Sequence, residues 1–228
     1  CCHSSRHPRI SAENMKAFIY LCILLFIIIF SLYLIWLSSQ KCPIKIQKFY
    51  LITLTIMLIR YLSLLSLWIV QYQKIIYIIK TLTQVTFVGM PLLSLACFYI
   101  YLRDENRKFD YNYIFMVIIF LVYIFINIFY KMDIKLDSIF GFIVSYKNSL
   151  IPSLIYLIIM SCMVVATLFL LDKPYNNSSG MVFLLISLII TISEFIIFLG
   201  GIKIFPYPVL GEISMLLCSY KAILTFKK

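Results

Sequence analysis

The sequence consists of long apolar runs separated by short polar segments. The runs are continuous rather than alternating, and most approach the roughly 20 residues that an α-helix needs to cross a bilayer. A continuous run favours a helix over a barrel strand, in which lipid-facing and inward-facing positions alternate. We predict an all-α, polytopic integral membrane helix bundle of about seven transmembrane helices, at about 17–37, 49–70, 82–102, 112–130, 150–171, 181–199 and 204–224.

The last of these runs differs from the others in its polar content. It contains Pro206, Pro208, Glu212 and Lys221, and its prolines indicate either a loop that leads into the helix or a broken helix. The connections between the runs are short, and the longest of them is a loop at about 131–149. We interpret residues 15–228 as a single transmembrane domain, because the chain leaves no room for a sizeable soluble domain beside it.

Residues 1–14 do not fit this pattern. They are polar, whereas an apolar run begins directly after Met15. A cleaved signal peptide does not explain them, because the first apolar run is long and no small-residue cleavage site follows it. We interpret residues 1–14 as a leader that is non-native or disordered, with the natural start of the protein at Met15.

Composition and charge agree with a membrane location. Hydrophobic residues make up 63% of the 228 residues, whereas soluble domains are about half apolar. The net charge is +11, but the basic residues fall mostly in short loops, where they contact anionic headgroups; nucleic acid is not an expected partner.

Counted from Met15, an outside N-terminus places 10 Lys and Arg in cytoplasmic segments and 7 in outside segments. The positive-inside rule therefore favours N-terminus outside and C-terminus inside.

Residue types that support catalysis are scarce. The two histidines, His3 and His7, lie in the predicted leader, and the chain contains no GxGxxG, P-loop or GxSxG motif. The seven cysteines show no CxxC spacing, and four of them lie in apolar runs, where packing explains them. We therefore expect no catalytic residue, no metal site, no cofactor and no enzymatic activity of this chain alone.

Three charged residues lie deep in the predicted spans: Arg60, Glu194 and Glu212. A charge at the bilayer centre costs about 2.5–3.5 kcal/mol on insertion scales, so it usually faces the bundle interior and finds a partner. At about 1.5 Å rise per residue, all three fall into one slab near the midplane. An ion pair of Arg60 with Glu194 or with Glu212 would fix helix packing. Two carboxylates that share Arg60 would instead form a ligand-binding or proton-sensing site, and a third reading is a charge that faces a partner subunit.

Two segments carry a resemblance to a known family. The stretches "VTFVGMPLLSLACFYIYLRDENRK" and "PYPVLGEISMLLCSYKAILTFKK" are similar in pattern to the third and last spans of a bacterial input domain. That seven-transmembrane domain lies at the N-terminus of some sensor histidine kinases, where a cytoplasmic effector follows the last span. The resemblance implies seven spans and a membrane-embedded sensory or signal-input module, without catalytic activity of its own, in a bacterial cytoplasmic (plasma) membrane. Its partners would be a cytoplasmic signalling protein or a second copy of the chain.

Two other functions fit the same charged residues. A transporter or permease component would use the polar slab as its substrate or proton site, and flux that depends on Glu194 would distinguish it from a sensor. An accessory subunit of a membrane complex would be recognised by a partner that co-purifies with it.

Overall fold

The computed structural model describes residues 7–69, 73–102, 109–137, 140–174 and 176–226. Residues 1–6 of the predicted leader lie outside the described residues, and the interpretation of 1–14 as a leader stays a prediction. The described part of the chain contains eight α-helices and one β-hairpin. In chain order the elements are α1 (His7–Lys41), α2 (Ile44–Ile69), α3 (Gln73–Thr83), α4 (Thr86–Leu102), α5 (Asp110–Phe129), β1 (Met132–Asp137), β2 (Gly141–Tyr146), α6 (Leu150–Phe169), α7 (Ser178–Leu199) and α8 (Leu210–Leu224).

Six helical segments of the described chain are long and apolar enough to cross a membrane. Their outward faces carry large apolar side chains such as Ile29, Trp36 and Ile128, each more than half exposed. Water does not tolerate such continuous apolar faces, whereas acyl chains cover them. The chain is therefore a multi-pass membrane protein, whose six candidate spans are Met15–Lys41, Ile44–Ile69, Lys74–Leu102, Asp110–Phe129, Leu150–Phe169 and Ser178–Leu199.

The seventh predicted span is helical only in its later part. Residues 200–209 form no helix, and α8 has 15 residues. Its length is about 22 Å at 1.5 Å per residue, against a hydrocarbon core of about 30 Å. Pro206 and Pro208 explain the late start, because proline disfavours helical backbone in the residue before it. The prediction of a helical span from residue 204 is therefore wrong for residues 204–209.

The third span is broken, and it begins earlier than the predicted residue 82. A turn at Gln84 and Val85 separates α3 from α4, and there the amides bond to carbonyls three residues back instead of four. The carbonyl of Thr81, near the break, accepts a hydrogen bond from the hydroxyl of Tyr123 on α5. The break occurs within "TLTQVT", in which β-branched residues weaken the helix.

A β-hairpin occupies the connection between α5 and α6, which was predicted as a loop. The strands Met132–Asp137 and Gly141–Tyr146 pair in antiparallel register. In β1, the side chain of Ile134 is partly buried, whereas that of Lys135 is exposed. The alternation of apolar and charged residues in "MDIKLD" is a strand pattern, and it was present in the sequence.

The hairpin packs against one end of the helix bundle. Gly141 has a φ of 73° and lies so close to the end of α2 that a Cβ atom would be 3.0 Å from the carbonyl oxygen of Leu67. Only glycine meets both conditions without strain. The side-chain amide of Gln84, in the break of the third span, donates to the carbonyl of Val144 at 3.0 Å. The hairpin therefore covers the region where α3 and α4 meet.

Helix α4 is at the centre of the bundle. Nearly all of its residues are buried, and it contacts α2, α5, α6, α7 and α8. Such a helix is apolar on all sides, because no face of it meets solvent or lipid. Helix α8 packs between α7, α4 and α1. The start of α8 is thereby placed inside the protein, close to the start of α4.

Candidate ligand site at the start of helix α8

Arg60 is buried inside the bundle on α2, with a side chain that is 1% exposed. Its Nη1 donates to Oε2 of Glu212 at 2.5 Å, and its Nε donates to the carbonyl oxygen of Thr83 at 3.1 Å. The guanidinium carbon lies 5.6 Å from the ring centroid of Tyr61, within the range of a cation–π contact. Arg60 therefore joins α2 both to α8 and to the break in the third span.

Glu212 lies in the first turn of α8 and is 3% exposed. One of its oxygens accepts from Arg60, and the other accepts from the hydroxyl of Thr86, the first residue of α4, at 3.0 Å. A buried ion pair is tolerated when further hydrogen bonds satisfy both partners. Thr86 does this for the carboxylate, and the carbonyl of Thr83 does it for the guanidinium. A carboxylate in the first turn also suits the helix dipole.

Glu194, on α7, forms no hydrogen bond or ion pair with Arg60 within the described residues. Its Oε1 accepts the backbone N–H groups of Val209 and Leu210 at 2.9 Å each, and its Oε2 accepts that of Gly211 at 2.6 Å. A helix start leaves such amides without an intrahelical partner. The residue at the N-cap of α8, Val209, offers no side-chain cap. Glu194 therefore caps α8 from the neighbouring helix, and the two carboxylates do not share Arg60.

Gly211 makes this cap possible. A Cβ atom at this position would lie 2.7 Å from the Cα of Thr191 and 3.1 Å from Oε2 of Glu194. Real Cβ atoms do not approach a backbone carbon so closely, so only glycine lets α8 contact α7 here. The hydroxyl of Thr191 also donates to the carbonyl of Gly211 at 3.3 Å. The backbones of the two helices therefore approach each other closely at the start of α8, where side chains of α7 bond to the backbone of α8.

The site lies nearer the hairpin face than the predicted midplane. Along the helix axis, Glu194 lies about 8 Å from the C-terminal end of α7, and Arg60 lies about 14 Å from the C-terminal end of α2. Glu212 is about 3 Å after the start of α8. Sequence analysis placed Glu212 near the midplane because it assumed that the last helix starts at residue 204. The helix starts at Leu210, so Glu212 lies in its first turn, closer to the hairpin.

A cavity of about 590 Å³ lies between the hairpin and the bundle. Arg60, Gln84 and Thr86 line it, so the cavity reaches the buried ion pair. The hairpin contributes Lys135 to its lining, and the segment between α7 and α8 contributes Lys203. Its volume is in the range of roughly 300–1,000 Å³ that is usual for small-molecule sites.

Tyr207 was not singled out by sequence analysis, because the chain has 17 tyrosines and none stands out. Its hydroxyl lines the cavity wall and accepts the N–H of Val144 at 2.8 Å. This bond joins the segment before α8 to the hairpin.

Two further tyrosines next to the ion pair were also missed. The hydroxyls of Tyr20 and Tyr61 are buried and have no hydrogen-bond partner among the described residues. The ring of Tyr20 packs edge-to-face against Phe140, next to the hairpin, and contacts Phe205 in the segment before α8. Buried hydroxyls are normally hydrogen-bonded, so these two hydroxyls remain available to bind a further polar group.

Thr83 and Thr86 were the other site residues that sequence analysis did not select. The available signal was the polar content of "TLTQVT" inside a membrane span.

Within the described residues, no group of three or more His, Cys, Asp or Glu side chains could hold a metal ion. In comparisons with known proteins, neither a family model nor a curated protein sequence matches this chain.

Proposed function

We propose that this chain is a membrane-embedded sensory or signal-input module, without catalytic activity of its own, in a bacterial cytoplasmic membrane. Helix α8 completes a seventh crossing in this proposal, with the N-terminus outside and the C-terminus inside. The signal passes to a cytoplasmic signalling partner or to a second copy of the chain. The distribution of 10 basic residues in cytoplasmic segments and 7 in outside segments supports this orientation.

Residues 200–209 support the seventh crossing. Ile202 and Ile204 are 65% and 60% exposed in this non-helical segment. Large apolar side chains at such exposure fit a position at the membrane interface, where a non-helical backbone can still bond to water. The side chain of Lys203 between them folds over the ring of Phe198, 4.9 Å from its centroid, as expected near a headgroup region. In this proposal the segment lies in the interface, and α8 crosses most of the hydrocarbon core.

The observation that carries the sensory proposal is the way in which α8 is held. Three other helices form hydrogen bonds to its first turn: α7 through Glu194, α2 through Arg60 and α4 through Thr86. The opposite end of α8, at Leu224, is about 21 Å away along the helix. A ligand in the cavity that alters these contacts would move α8 as a rigid element. Coupling between two sites requires such an element with two arrangements.

One contact between α7 and α8, formed by Ser187 and Ser214, would break at low energy during this movement. The hydroxyl of Ser187 bonds to the carbonyl of Ser214 at 3.2 Å, and the hydroxyl of Ser214 bonds to the carbonyl of Ser187 at 3.4 Å. Each hydroxyl also bonds to a carbonyl of its own helix, that of Phe183 or that of Gly211. When these interhelical bonds break, both hydroxyls therefore keep a partner, so the serine contact does not oppose a shift of α8.

A fusion protein tests the proposal. The kinase core of a sensor histidine kinase is joined after Lys228, and phosphorylation of its response regulator is measured in membranes. We expect Glu194→Gln to change this output several-fold, because it weakens the cap of α8. Asp133→Asn, on an exposed position of the hairpin, is the matched control and should leave the output unchanged. Equal output from both variants at equal membrane levels would contradict the sensory proposal.

A second candidate, a permease component, is favoured by the broken third span. Discontinuous helices often form substrate sites in secondary transporters. A permease also needs a path to the other face, and on that side the fully buried Tyr50, Cys97 and Ser219 fill the space between α2, α4 and α8. Liposomes that contain the protein and a pH-sensitive dye separate the candidates. Proton flux that is lost in Glu194→Gln would support a permease, whereas a partner that co-purifies in fixed ratio would indicate an accessory subunit.

A further inference from the structure

The geometry points to a small organic monoanion as the ligand of the cavity beneath the hairpin. Its carboxylate would bind Nη2 of Arg60, and its aromatic or aliphatic body would lie between the hairpin and α7. This inference rests on the proposed sensory function for its biological role, since it names the class of ligand that the same site would take.

Arg60 has one donor group that the protein does not use. Its Nε is bonded to Thr83 and its Nη1 to Glu212, while Nη2 has no hydrogen-bond acceptor among the described residues. The side chain is 1% exposed, and it forms part of the cavity wall. Inside a protein, a guanidinium N–H without an acceptor is unfavourable. An anionic oxygen that enters the cavity would satisfy it with a charge-assisted hydrogen bond.

A second set of free donors lies on the wall of the cavity formed by α6. Ser149 and Ser153 line the cavity, and Ser149 makes no side-chain cap bond to the helix that follows it. Neither hydroxyl is hydrogen-bonded to another described residue, although Ser153 is 4% exposed. The start of α6 also carries the positive partial charge of a helix N-terminus, which favours an anion. Unlike the start of α8, it has no carboxylate as a cap.

The charges that line the cavity also favour an anion. They are Arg60, Lys135, Lys203 and Asp137. Arg60 is already paired with Glu212, and Asp137 accepts the backbone N–H of Phe140 at 3.2 Å. Lys135 and Lys203 are exposed on opposite sides, one on the hairpin and one on the segment before α8. Cations at the mouth of a cleft raise the local concentration of anions.

The remaining lining limits the ligand to a small monoanion. Apart from the exposed Lys135 and Lys203, the free donors are a single Nη2 and two serine hydroxyls, which can satisfy one carboxylate, whereas a phosphate dianion needs more donors. The hydroxyl of Tyr207 already donates to the carbonyl of Val144 at 3.4 Å, so it adds no free donor. Much of the wall is apolar and suits a hydrocarbon body; it includes Phe87, Tyr146, Phe195 and Phe198.

Binding of three probe acids tests this inference. Benzoate, phenylacetate and hexanoate are titrated calorimetrically into the full chain in lipid nanodiscs, beside their neutral amides. We expect saturable binding of at least one acid, and binding of its amide that is about tenfold weaker, because the amide lacks the charge that Arg60 attracts. If no acid binds saturably at millimolar concentration, or if the amides bind equally well, the inference is overturned.

The exposed lysines provide variants that should fold normally. We expect the double variant Lys135→Gln/Lys203→Gln to weaken acid binding about three- to tenfold, through lost electrostatic attraction. Lys147→Gln is the matched control, because Lys147 is also exposed after β2 but does not line the cavity. A loss of affinity in the control as large as that in the double variant would overturn the inference.

The two proposals fail independently. Binding is measured on the chain without an effector, and kinase output is measured on the fusion. Acid binding with no response of the fusion would keep the ligand class and refute the sensory role. A response of the fusion to Glu194→Gln without acid binding would keep the sensory role and refute the ligand class.

Discussion

The two ends of the bundle are built from different chemistry. The half beneath the hairpin contains the buried pair Arg60–Glu212, the cap by Glu194, the broken third span and a cavity. In the opposite half, the same helices α2, α4 and α8 meet through neutral groups. The hydroxyl of Tyr50 lies 3.3 Å from the thiol of Cys97, which lies 3.4 Å from the hydroxyl of Ser219. The interior of one half therefore holds charges and a cavity, whereas in the other half the space between α2, α4 and α8 is filled by neutral groups.

This difference assigns separate roles to the two halves. Charged contacts at the start of α8 respond to anything that changes the local electrostatics, because burial strengthens them. Neutral contacts between small polar groups in a membrane contribute less and depend little on ligands. Substitutions in the two halves should therefore differ in magnitude, and the free energy of unfolding in detergent is the quantity that shows it.

The largest effect is expected for Arg60→Met. The variant leaves the carboxylate of Glu212 buried without its cation, and breaking one side of a buried pair costs about 3–5 kcal/mol of stability. Chemical unfolding of the purified protein in detergent measures this loss.

The double variant Arg60→Met/Glu212→Met supplies the control for this prediction. It removes both charges, so most of the stability should return. If the double variant is as unstable as Arg60→Met alone, the loss comes from packing rather than from an unpaired carboxylate, and the importance assigned to the pair is wrong.

The next largest effect is expected for Gly211→Ala. The added methyl group would lie 2.7 Å from the Cα of Thr191, so α7 and α8 must separate. Overpacking of this kind costs about 1–3 kcal/mol. Gly200→Ala is the matched control, since its nearest described neighbour would be 3.4 Å away. Thermal unfolding of both variants should show a clear decrease for Gly211→Ala and little change for Gly200→Ala.

A smaller loss is expected for Glu194→Gln. The amide side chain keeps one oxygen that accepts hydrogen bonds, but it cannot accept all three N–H groups at the start of α8. Loss of a helix cap costs about 1–2 kcal/mol. Ser193→Ala, at the exposed neighbouring position, should change stability by less than about 0.5 kcal/mol. Equal losses in the two variants would show that the carboxylate does not cap α8.

Hydropathy predicted most of the helical framework. Six candidate membrane helices follow from it, because a span must satisfy its backbone internally and present apolar side chains to lipid. The late start of α8 and the break at Gln84 are finer features, set by prolines and by side chains that bond to freed carbonyls. The hairpin was missed because a six-residue alternation is a weak signal beside runs of about 20 residues.

The candidate site was predictable only in part. The sequence left the partner of Arg60 open between Glu194 and Glu212, because helix periodicity does not say which helices are neighbours. The role of Glu194 could not be predicted, since its partners are backbone amides, which leave no trace in the pattern of side chains. Gly211 is similar: its importance comes from the approach of Thr191, a residue on another helix.

The smallest effect is expected in the neutral half, for Tyr50→Phe. The variant removes one hydroxyl that bonds to the thiol of Cys97, and such bonds in membrane proteins contribute about 0.6 kcal/mol on average. The thiol retains the hydroxyl of Ser219 as a partner, so no buried group is left alone. Unfolding in detergent should show this small loss, and kinase output from the fusion should not change. A loss as large as that of Arg60→Met would mean that the two halves do not differ in the way that their chemistry predicts.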